Sequence, residues 1–387
     1  MSQTSSVDVA IIGGGPAGTA LALTLCLYSK LTVAVIEQTA YDNIRTGEHV
    51  SASLLPLLDY LQVKEPFLAD SHTPVYNVAA VWGHSELHAR PSIINQMGEG
   101  YLLDRTEFDV MLAEQLVRQG GQLYLETKCA EGEQLEGGGW RLFLKENSGE
   151  SSQLETRYLV DATGRQARIS KRLGAKSLAC DTLVGISAIL DFEGNALLLA
   201  EPLRERSKTE EVLIESIPEG WWYSAWLPNG TLIAVLMTDI DVMRQGKLHK
   251  QKQWVELLSK ATHTKQRVRG GQLIYPLTVK PAHSHVLDRA VGEDWMAIGD
   301  AAIAFDPLSS MGVGHAITCG CDAAVAVVEY LVNNEDRLLK QYQKQLKLNF
   351  DNYLSIRHRY YTLEQRWLDL PFWKRRTQLA PIPLASQ

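Results

Sequence analysis

The sequence lacks the features that mark several classes of protein. Its five cysteines among 387 residues are scattered and odd in number, which argues against a disulfide framework and favours a reducing cytoplasm. No uninterrupted run of about 18 apolar residues occurs, so a membrane-spanning helix is not predicted. An apolar strand already begins at Val7, which leaves no room for a signal peptide before it. The net charge of −7 gives no electrostatic reason to expect a nucleic-acid partner.

What the sequence does contain is a strand–turn–helix–strand pattern near its start. Residues 7–12 predict a buried strand, residues 19–28 have helical periodicity, and residues 31–36 predict a second strand that ends at Glu37. A glycine-rich turn joins the first strand to the helix, which is the context that a dinucleotide-binding fingerprint requires. The candidate cofactor-binding residues of this turn are Gly13, Gly15, Ala17 and Gly18.

The residue types of this turn suit a bound dinucleotide. Gly13 permits the tight turn, Gly15 lets the backbone approach a pyrophosphate, and Gly18 lets the helix pack closely on the strand. Amides at the helix N-terminus favour the phosphate charge. Glu37 is placed to accept hydrogen bonds from both hydroxyls of an adenosine ribose, and it would repel the ribose phosphate of NADP. The alternative is a glycine-rich turn that binds no ligand.

A later part of the chain predicts a separate antiparallel sheet. Its strands follow one another closely, and Asn229-Gly230 is a strong hairpin signal between the last two. The third of these strands is rich in aromatic residues, among them Trp222. The strand-like segments are residues 183–192, 211–217, 220–227 and 231–238.

Two further motifs follow the first along the chain. Asp161-Ala162-Thr163-Gly164 ends a strand-like segment, and Gly299-Asp300 precedes Pro307 and then Gly312-Val313-Gly314. In order and spacing the three motifs resemble those of the aromatic-hydroxylase type of FAD enzyme, and the resemblance spans nearly the whole chain. That family includes single-component flavin monooxygenases, flavin-dependent halogenases and geranylgeranyl reductases.

The resemblance implies that FAD is the cofactor, and it assigns particular residues to FAD binding. Asp300 would hold the ribityl chain and the pyrophosphate, Arg105 matches the family's helix-entry arginine, and Arg45 is a weaker match to a second basic contact. A helix beginning near Gly312 would aim its N-terminus at the flavin ring, or the glycines would simply cap that helix. The further candidates for FAD binding are Asp161, Gly164, Val313 and Gly314.

The resemblance also implies an α/β fold. A doubly wound, glutathione-reductase-like FAD-binding domain would carry an inserted antiparallel β-sheet as substrate domain, and C-terminal helices would follow. The expected segments are residues 1–74, 99–175 and 277–335 for the FAD-binding domain, 75–98 and 176–276 for the substrate domain, and 336–387 for the C-terminal helical region and tail.

Finer marks separate this chain from the halogenases. Flavin halogenases show a Trp-x-Trp-x-Ile-Pro motif, which residues 220–228 break, and a catalytic lysine that is missing from residues 73–78. The turn Gly47-Glu48-His49-Val50-Ser51 and residues 360–376 are instead similar to flavoproteins encoded beside quinone-cofactor amino-acid oxidases, of the GoxB and LodB type. That group is understood to oxygenate a tryptophan in a precursor protein, leading to cysteine tryptophylquinone.

The resemblance therefore implies an FAD-dependent monooxygenase that oxygenates an aromatic ring through a flavin C4a-hydroperoxide. The expected partner is a precursor protein of a quinone-dependent amino-acid oxidase. NADPH or a separate flavin reductase would supply electrons, because no second nucleotide-binding unit follows the first. The alternatives are a small-molecule aromatic hydroxylase, a flavin-dependent reductase and a non-catalytic maturation chaperone whose flavin is structural.

Four residues are candidates for the chemistry itself. Glu48 could serve as acid or base or bond its own loop, and His49 could face the flavin or substrate or be an ordinary loop histidine. Trp222 could form the wall of a substrate pocket or belong to the core. Pro307 is a candidate through the resemblance, because it belongs to the motif that follows Gly299-Asp300. His283-Ser284-His285 lacks further ligands at a recognisable spacing, so no metal site is predicted.

The C-terminal residues carry two open predictions. Residues 337–376 look helical and become aromatic and basic towards their end. If those side chains are exposed they would dock a protein substrate, whereas an ordinary packed helix would bury them. Residues 379–387 are rich in proline and predict a loose tail.

Overall fold

The structure is a computed structural model that describes residues 4–42, 45, 47–91, 99–192 and 212–378. The tail predicted over residues 379–387 lies outside the described residues, as does the first residue of the strand predicted over residues 211–217.

The described chain contains the following strands and helices. The strands are β1 (Thr4–Ile12), β2 (Val33–Ile36), β3 (His49–Val50), β4 (Thr73–Val75), β5 (Asn77–Val81), β6 (His88–Pro91), β7 (Gly100–Leu102), β8 (Gln122–Tyr124), β9 (Thr127–Gln134), β10 (Trp140–Glu146), β11 (Ser151–Asp161), β12 (Ser177–Ala179), β13 (Leu183–Asp191), β14 (Val212–Ile217), β15 (Gly220–Trp226), β16 (Leu232–Asp239), β17 (Gln272–Leu273), β18 (Thr278–Pro281), β19 (His285–Leu287), β20 (Val291–Gly292), β21 (Trp295–Ala297) and β22 (Ile303–Ala304). The helices are α1 (Pro16–Tyr28), α2 (Leu54–Tyr60), α3 (Lys64–Ala69), α4 (Arg105–Arg118), α5 (Arg168–Arg172), α6 (Ile240–Gly246), α7 (Gln251–Leu258), α8 (Thr264–Arg267), α9 (Gly312–Asn333), α10 (Arg337–Thr362) and α11 (Pro371–Thr377).

The first sheet is a doubly wound parallel sheet. Its order is β20-β21-β11-β1-β2-β8, and along this path only β20 runs antiparallel to its neighbour. The antiparallel meander β9-β10-β11 joins it at one end of β11. Val9, Ala10 and Ile11 of β1 are all fully buried, as expected where both faces of a parallel sheet are covered. The predicted α/β class is confirmed, while the segment boundaries stay a prediction.

A close helix contact supports this sheet. α1 packs against α9, and a Cβ added at Gly320 would lie 2.4 Å from the carbonyl oxygen of Ala17, so a larger residue would push the helices apart. By length and composition α9 is the one helix in the described part of the chain that could cross a membrane, with a mean hydropathy of 1.4. Half of that apolar window is buried inside the protein, so core packing accounts for its composition.

The second sheet has the order β17-β13-β16-β15-β14-β5-β6, and β18 also pairs with β13. Its neighbours are antiparallel except for the parallel pair β14–β5. Side chains alternate between its faces, so Trp222 of β15 meets Trp254 of α7 on one face, with ring centroids 4.9 Å apart. Trp221 and Tyr223 point to the other face, where they line a cavity. The predicted antiparallel sheet is thereby confirmed.

The C-terminal helices pack against this second sheet. Trp373 is fully buried, Phe372 is 1% exposed and Arg376 is 4% exposed. The indole N–H of Trp373 donates to the carbonyl oxygen of Ile217 at the end of β14. For these side chains the packed-helix prediction is correct and the docking prediction is wrong, because their apolar surface is already covered. Tyr360 keeps about half of its surface exposed.

Candidate active site

A cavity of about 720 Å³ lies where the two sheets meet. It is bounded by the turn after β1, by the turn that precedes β3, by the start of α9 and by strands β13 to β16 with β18. This volume is within the range of pockets that bind small molecules and cofactors. The predicted site residues that line it are Gly13, Gly15, Ala17, Glu37, Arg45, Glu48, His49, Arg105, Gly164, Asp300, Pro307, Gly312 and Val313.

Four predicted residues do not line the cavity. Trp222 is wrong as a pocket residue, because strand alternation turns it to the opposite face of its sheet. Gly18 and Gly314 lie in the first turns of α1 and α9, two helices that begin beside the cavity. Asp161 is fully buried at the end of β11, and its carboxylate accepts hydrogen bonds from Thr163 and Ser170. It therefore braces the turn instead of facing the cavity.

The three glycines after β1 serve different purposes. Gly13 has a φ of +114°, and an added Cβ would lie 2.2 Å from the carbonyl oxygen of Ala162. A Cβ at Gly18 would lie 2.1 Å from the carbonyl oxygen of Gly13. A Cβ at Gly15 would meet nothing within 4 Å, and Gly15 faces the cavity. Gly13 and Gly18 thus allow the chain to pack on itself, whereas Gly15 leaves room for a ligand beside the helix N-terminus.

Glu37 both lines the cavity and holds the turn. Its side chain accepts hydrogen bonds from the amide of Gly14 at 2.9 Å and from the amide and hydroxyl of Thr39 at 3.0 and 2.7 Å. Arg45 Nη2 lies 3.5 Å from Glu37 Oε1. Glu37 is only 5% exposed, so these hydrogen-bond donors stabilise the negative charge of its carboxylate.

Two arginines are held together by one buried carboxylate. Asp109, which is 1% exposed, accepts from Arg45 Nη1 at 2.7 Å and from Arg105 Nη2 at 3.1 Å. Arg105 and Asp109 are four residues apart on α4, so they lie on the same helix face. The sequence analysis did not identify Asp109, although its spacing of four residues from Arg105 was a usable signal. Both guanidinium groups line the cavity, and Asp109 offsets one of their two positive charges.

Arg105→Ala is expected to lower FAD affinity roughly 10- to 100-fold, since a charge-assisted hydrogen bond contributes about 1.5–3 kcal/mol. Titration of the FAD-free protein with FAD, followed by flavin fluorescence, measures the change. Arg118→Ala at the other end of α4 is the matched control, because its side chain is 66% exposed and pairs with the exposed Glu114. Equal FAD affinity in the two variants would contradict a role for Arg105 in FAD binding.

A third arginine, which the sequence analysis did not identify, braces the predicted Asp300. Arg165 Nε lies 3.3 Å from Asp300 Oδ2, and its other nitrogens donate to the carbonyl oxygens of His283 and Phe305. Arg165 follows Gly164 directly, so its place after the second motif was the available signal. The ion pair joins the second and third motifs at the cavity wall.

The charge of the cavity suits a doubly anionic pyrophosphate. Its wall carries six basic and four acidic side chains, a formal excess of two positive charges in a chain whose net charge is −7. With the open space at Gly15 and the helix N-terminus beside it, this wall fits FAD. The charged side chains are Arg45, Arg105, Lys128, Arg165, Arg168, Lys280, Glu37, Glu48, Asp300 and Asp306.

Glu48 and His49 face the cavity in unusual electrostatic states. Burial raises the pKa of the Glu48 carboxyl above its ordinary value, while the charges of Arg105 and Lys280 act to lower it. Burial lowers the pKa of His49 to about 4, so its ring is neutral at neutral pH. His49 Nδ1 lies 3.4 Å from the hydroxyl of Ser310.

His49→Asn is expected to weaken the acid sensitivity of the fold. The unfolded chain binds a proton at His49 near pH 6.5, whereas the folded protein binds it only near pH 4, so stability rises with pH across this interval. The variant should lose less unfolding free energy than the parent protein when the pH falls from about 7.5 to about 4.5, as measured by denaturant titration. His84→Asn, an exposed position, is the control. An unchanged pH dependence in His49→Asn would contradict the prediction.

The loop around Pro307 is held by helix α10. Asp306, 1% exposed, accepts hydrogen bonds from Tyr361 at 2.8 Å and from Arg357 at 3.2 Å. Tyr361 in turn accepts from the indole N–H of Trp221 at 3.1 Å. This chain of bonds ties one wall of the cavity to the loop before α9. No sequence pattern had linked Asp306, Tyr361 and Trp221, because they are far apart in the chain.

The structure shows no sign of a metal site in the residues it describes: no group of three or more histidine, cysteine, aspartate or glutamate side chains is placed to hold an ion. The five cysteines, all of them among the described residues, have free thiols and form no disulfide.

The chain resembles known flavoproteins in sequence. Residues 6–349 match the family model described as the FAD binding domain. The chain is 33% identical over 383 residues to LodB of Marinomonas mediterranea, which is named as an FAD-dependent oxidoreductase, and the match covers 98% of this chain and 100% of LodB. It is 21% identical over 362 residues to a tryptophan 2-halogenase of Chondromyces crocatus, covering 87% of this chain and 64% of that protein.

Solved structures share its fold. The myxobacterial chondrochloren halogenase CndH matches 98% of this chain and 87% of its own, with a TM-score of 0.86 and 17% identity. QhpG, a peptidyl tryptophan dihydroxylase essential for tryptophylquinone cofactor biogenesis, matches 96% of this chain and 79% of its own, with a TM-score of 0.71 and 22% identity. At these identities the likeness concerns the fold. With the family match and the full-length similarity to LodB, it agrees with the cavity chemistry: the chain belongs to the FAD binding domain family and is an FAD-dependent oxidoreductase with FAD as its cofactor.

Proposed function

We propose that this protein is an FAD-dependent monooxygenase that oxygenates a tryptophan ring in a precursor protein of a quinone-dependent amino-acid oxidase. The observation that carries the proposal is the continuity of the cavity. The same space is lined by Gly15, with the dinucleotide fingerprint around it, and by Trp221, Tyr223 and Met237 of the second sheet. A flavin held at the glycine turn would therefore share a water-poor space with a flat apolar substrate.

The relatives support the choice of substrate. LodB is similar along the full chain, and QhpG, which shares the fold, is named for dihydroxylation of a peptidyl tryptophan. An aromatic ring inside a protein needs a pocket with an apolar wall, and Ile214 and Val235 extend the wall made by Trp221 and Tyr223. The product of such a reaction would be a precursor on the route to cysteine tryptophylquinone.

The protein's own contribution to this reaction is binding, orientation and exclusion of water. FAD, when bound, supplies the electron transfer and the oxygen chemistry. Arg45 and Arg105 would pair with the pyrophosphate, and Asp300 would hold the ribityl chain. The N-terminus of α9 at Gly312 would stabilise negative charge on the ring by about 0.3–1 kcal/mol. The three-segment FAD-binding domain and the two-segment substrate domain are part of the same proposal.

Electrons would come from outside the chain. Either NADPH binds transiently or a separate flavin reductase supplies reduced flavin. Stopped-flow spectra of the oxidised protein with NADPH alone, and with NADPH plus a flavin reductase, distinguish the two donors.

The function is tested by weighing a product. The FAD-loaded protein is reduced, then mixed with oxygen and a candidate precursor protein, and the precursor is analysed by mass spectrometry. A gain of one or two oxygen atoms on a tryptophan is the expected result. A gain only on a small phenol or indole would support a small-molecule hydroxylase, and turnover without oxygen would support a flavin-dependent reductase.

A maturation chaperone with a structural flavin would behave differently. It would still mature its client when flavin binding is lost but the fold is kept. Maturation of the oxidase precursor by an FAD-free variant would therefore contradict the monooxygenase proposal.

A further inference from the structure

One face of helix α10 fixes the residue that precedes Pro307. Tyr353, Arg357 and Tyr361 lie at intervals of four residues along α10, so they share one side of the helix. The backbone N–H of Asp306 donates to the Tyr353 hydroxyl at 2.7 Å. Arg357 Nε and the Tyr361 hydroxyl donate to Asp306 Oδ2 at 3.2 and 2.8 Å. The loop that leads to α9 is therefore held from α10 at Asp306.

Tyr361 also reaches the second sheet. Its hydroxyl accepts from the indole N–H of Trp221, on β15, at 3.1 Å. An indole N–H can only donate and an ionised carboxylate can only accept, so the hydroxyl of Tyr361 must both accept from Trp221 and donate to Asp306. Tyr361 is fully buried, and Trp221 and Asp306 are each 1% exposed, so water cannot replace either bond.

The two partners of Tyr361 belong to different walls of the cavity. Trp221 lines the cavity from the second sheet, together with Tyr223 on the same side of β15. Asp306 and Pro307 line it from the loop before α9. Tyr361 itself lies behind these walls, and its hydroxyl connects them. The position of the apolar wall relative to the loop is thus set in part by one buried hydroxyl group.

We propose that Tyr361 is a positioning residue that sets the spacing between Trp221 and the Pro307 loop, so that the cavity selects a flat aromatic ring over a puckered ring of the same outline. A side chain with a directional hydrogen bond to each wall keeps both walls in one arrangement. A buried N–H that loses its acceptor is costly, so without the Tyr361 hydroxyl the Trp221 ring would turn or shift towards another partner. Asp306 would still be held by Arg357. The aromatic nature of the substrate rests on the proposed function, and the selection of a flat ring by Tyr361 goes beyond it.

The hydrogen bond to Trp221 is tested by NMR on oxidised, FAD-loaded protein labelled with a nitrogen isotope. The indole N–H signal of Trp221 is identified by its loss from the spectrum of Trp221→Phe. Tyr361→Phe keeps the ring but removes the hydroxyl, so it should move that signal. Tyr330→Phe on α9 is the matched control, because its hydroxyl also donates to an aspartate, Asp294 Oδ1 at 2.8 Å, and neither residue lines the cavity. A Trp221 signal that stays in place in Tyr361→Phe would overturn the proposal.

The spacing of the walls is tested with a matched pair of ligands. Benzyl alcohol and cyclohexylmethanol have the same outline and the same hydroxyl group, but only benzyl alcohol has a flat ring. The oxidised, FAD-loaded protein should bind benzyl alcohol roughly 10-fold more tightly in titration calorimetry, because a small change of shape in an apolar pocket has an effect of that size. Tyr361→Phe should lose most of this preference without a matching loss of FAD affinity, whereas Tyr330→Phe should keep both. A role in stability alone would not change the preference between the two rings.

The outcomes separate this inference from the function itself. Equal affinity of the parent protein for the two rings, or a full preference in folded Tyr361→Phe, overturns the inference. Trp221→Phe breaks the same bond from its other end, so it should weaken the preference even if Tyr361→Phe does not fold. If the preference depends on Tyr361 but no tryptophan is ever oxygenated, the proposed function fails while the inference stands. If tryptophan is oxygenated without such a preference, the inference fails while the function stands.

Discussion

Gly13→Ala is expected to lower FAD affinity by more than about 100-fold. The added Cβ would lie 2.2 Å from the carbonyl oxygen of Ala162, and the φ of +114° is unfavourable for any L-residue with a side chain. Overpacking and backbone strain together cost roughly 3 kcal/mol or more. The strain would be relieved by moving the turn away from Ala162 and Thr163, and all three residues line the cavity. Retained flavin after purification and titration with FAD measure the effect.

Gly137→Ala is the matched control for this substitution. Its Cβ would meet nothing within 4 Å, and its φ is not in the left-handed region. It should keep FAD affinity and stability within about 0.5 kcal/mol of the parent protein. Full flavin content in Gly13→Ala, with the fold intact by circular dichroism, would show that the turn after β1 does not hold the cofactor. The same variant, if folded and FAD-free, supplies the chaperone test described above.

Asp239→Ala is expected to cost about 3–5 kcal/mol of unfolding free energy, because it leaves a buried arginine without its partner. Asp239 Oδ1 accepts from Arg376 Nη2 at 2.7 Å, and Oδ2 accepts from Arg376 Nη1 at 2.9 Å. Asp239 is 1% exposed and Arg376 4%, so water cannot replace the lost bonds. This bidentate pair ties α11 to the end of β16. Denaturant unfolding of the FAD-loaded protein measures the loss.

The control for this prediction lies two residues away. Asp241 also pairs with an arginine, Arg375, but its side chain is 55% exposed. Asp241→Ala should therefore cost no more than about 1 kcal/mol. Similar losses of unfolding free energy in the two variants would mean that α11 is not anchored through the buried Asp239–Arg376 pair. A loss of flavin in Asp239→Ala alone would further link α11 to the cavity, since Trp373 of α11 packs on Tyr361 of α10, which contacts both Trp221 and Asp306.

Local patterns predicted residues that line the cavity, because these patterns act over short distances. The turn around Gly13, the acid at Glu37 and the helix entry at Arg105 are each set by a few neighbouring residues, and all of them line the cavity. Trp222 was misplaced for a related reason. Strand alternation puts it on the opposite face from Trp221 and Tyr223, but the sequence alone does not say which face lines the cavity and which packs against α7.

The partners of the site residues came from distant parts of the chain. Lys280 reaches the cavity only because β18 pairs with β13, and Asp306 is satisfied only because α10 brings Tyr361 and Arg357 to it. The burial of Trp373 against Ile217 likewise depends on how the C-terminal helices pack. Contacts between residues so far apart in sequence leave no periodic trace, since they form only when the sheets have assembled.

The sequence by itself determined the strand–turn–helix unit, the three motifs and hence FAD as cofactor, because backbone conformation at glycine and the helix N-terminus are local properties. Only the tertiary structure decided which aromatic residues face the cavity, which charges surround Glu48 and whether the C-terminal aromatics are exposed. Those outcomes depend on burial and on electrostatic neighbours, and both arise when separate elements pack together.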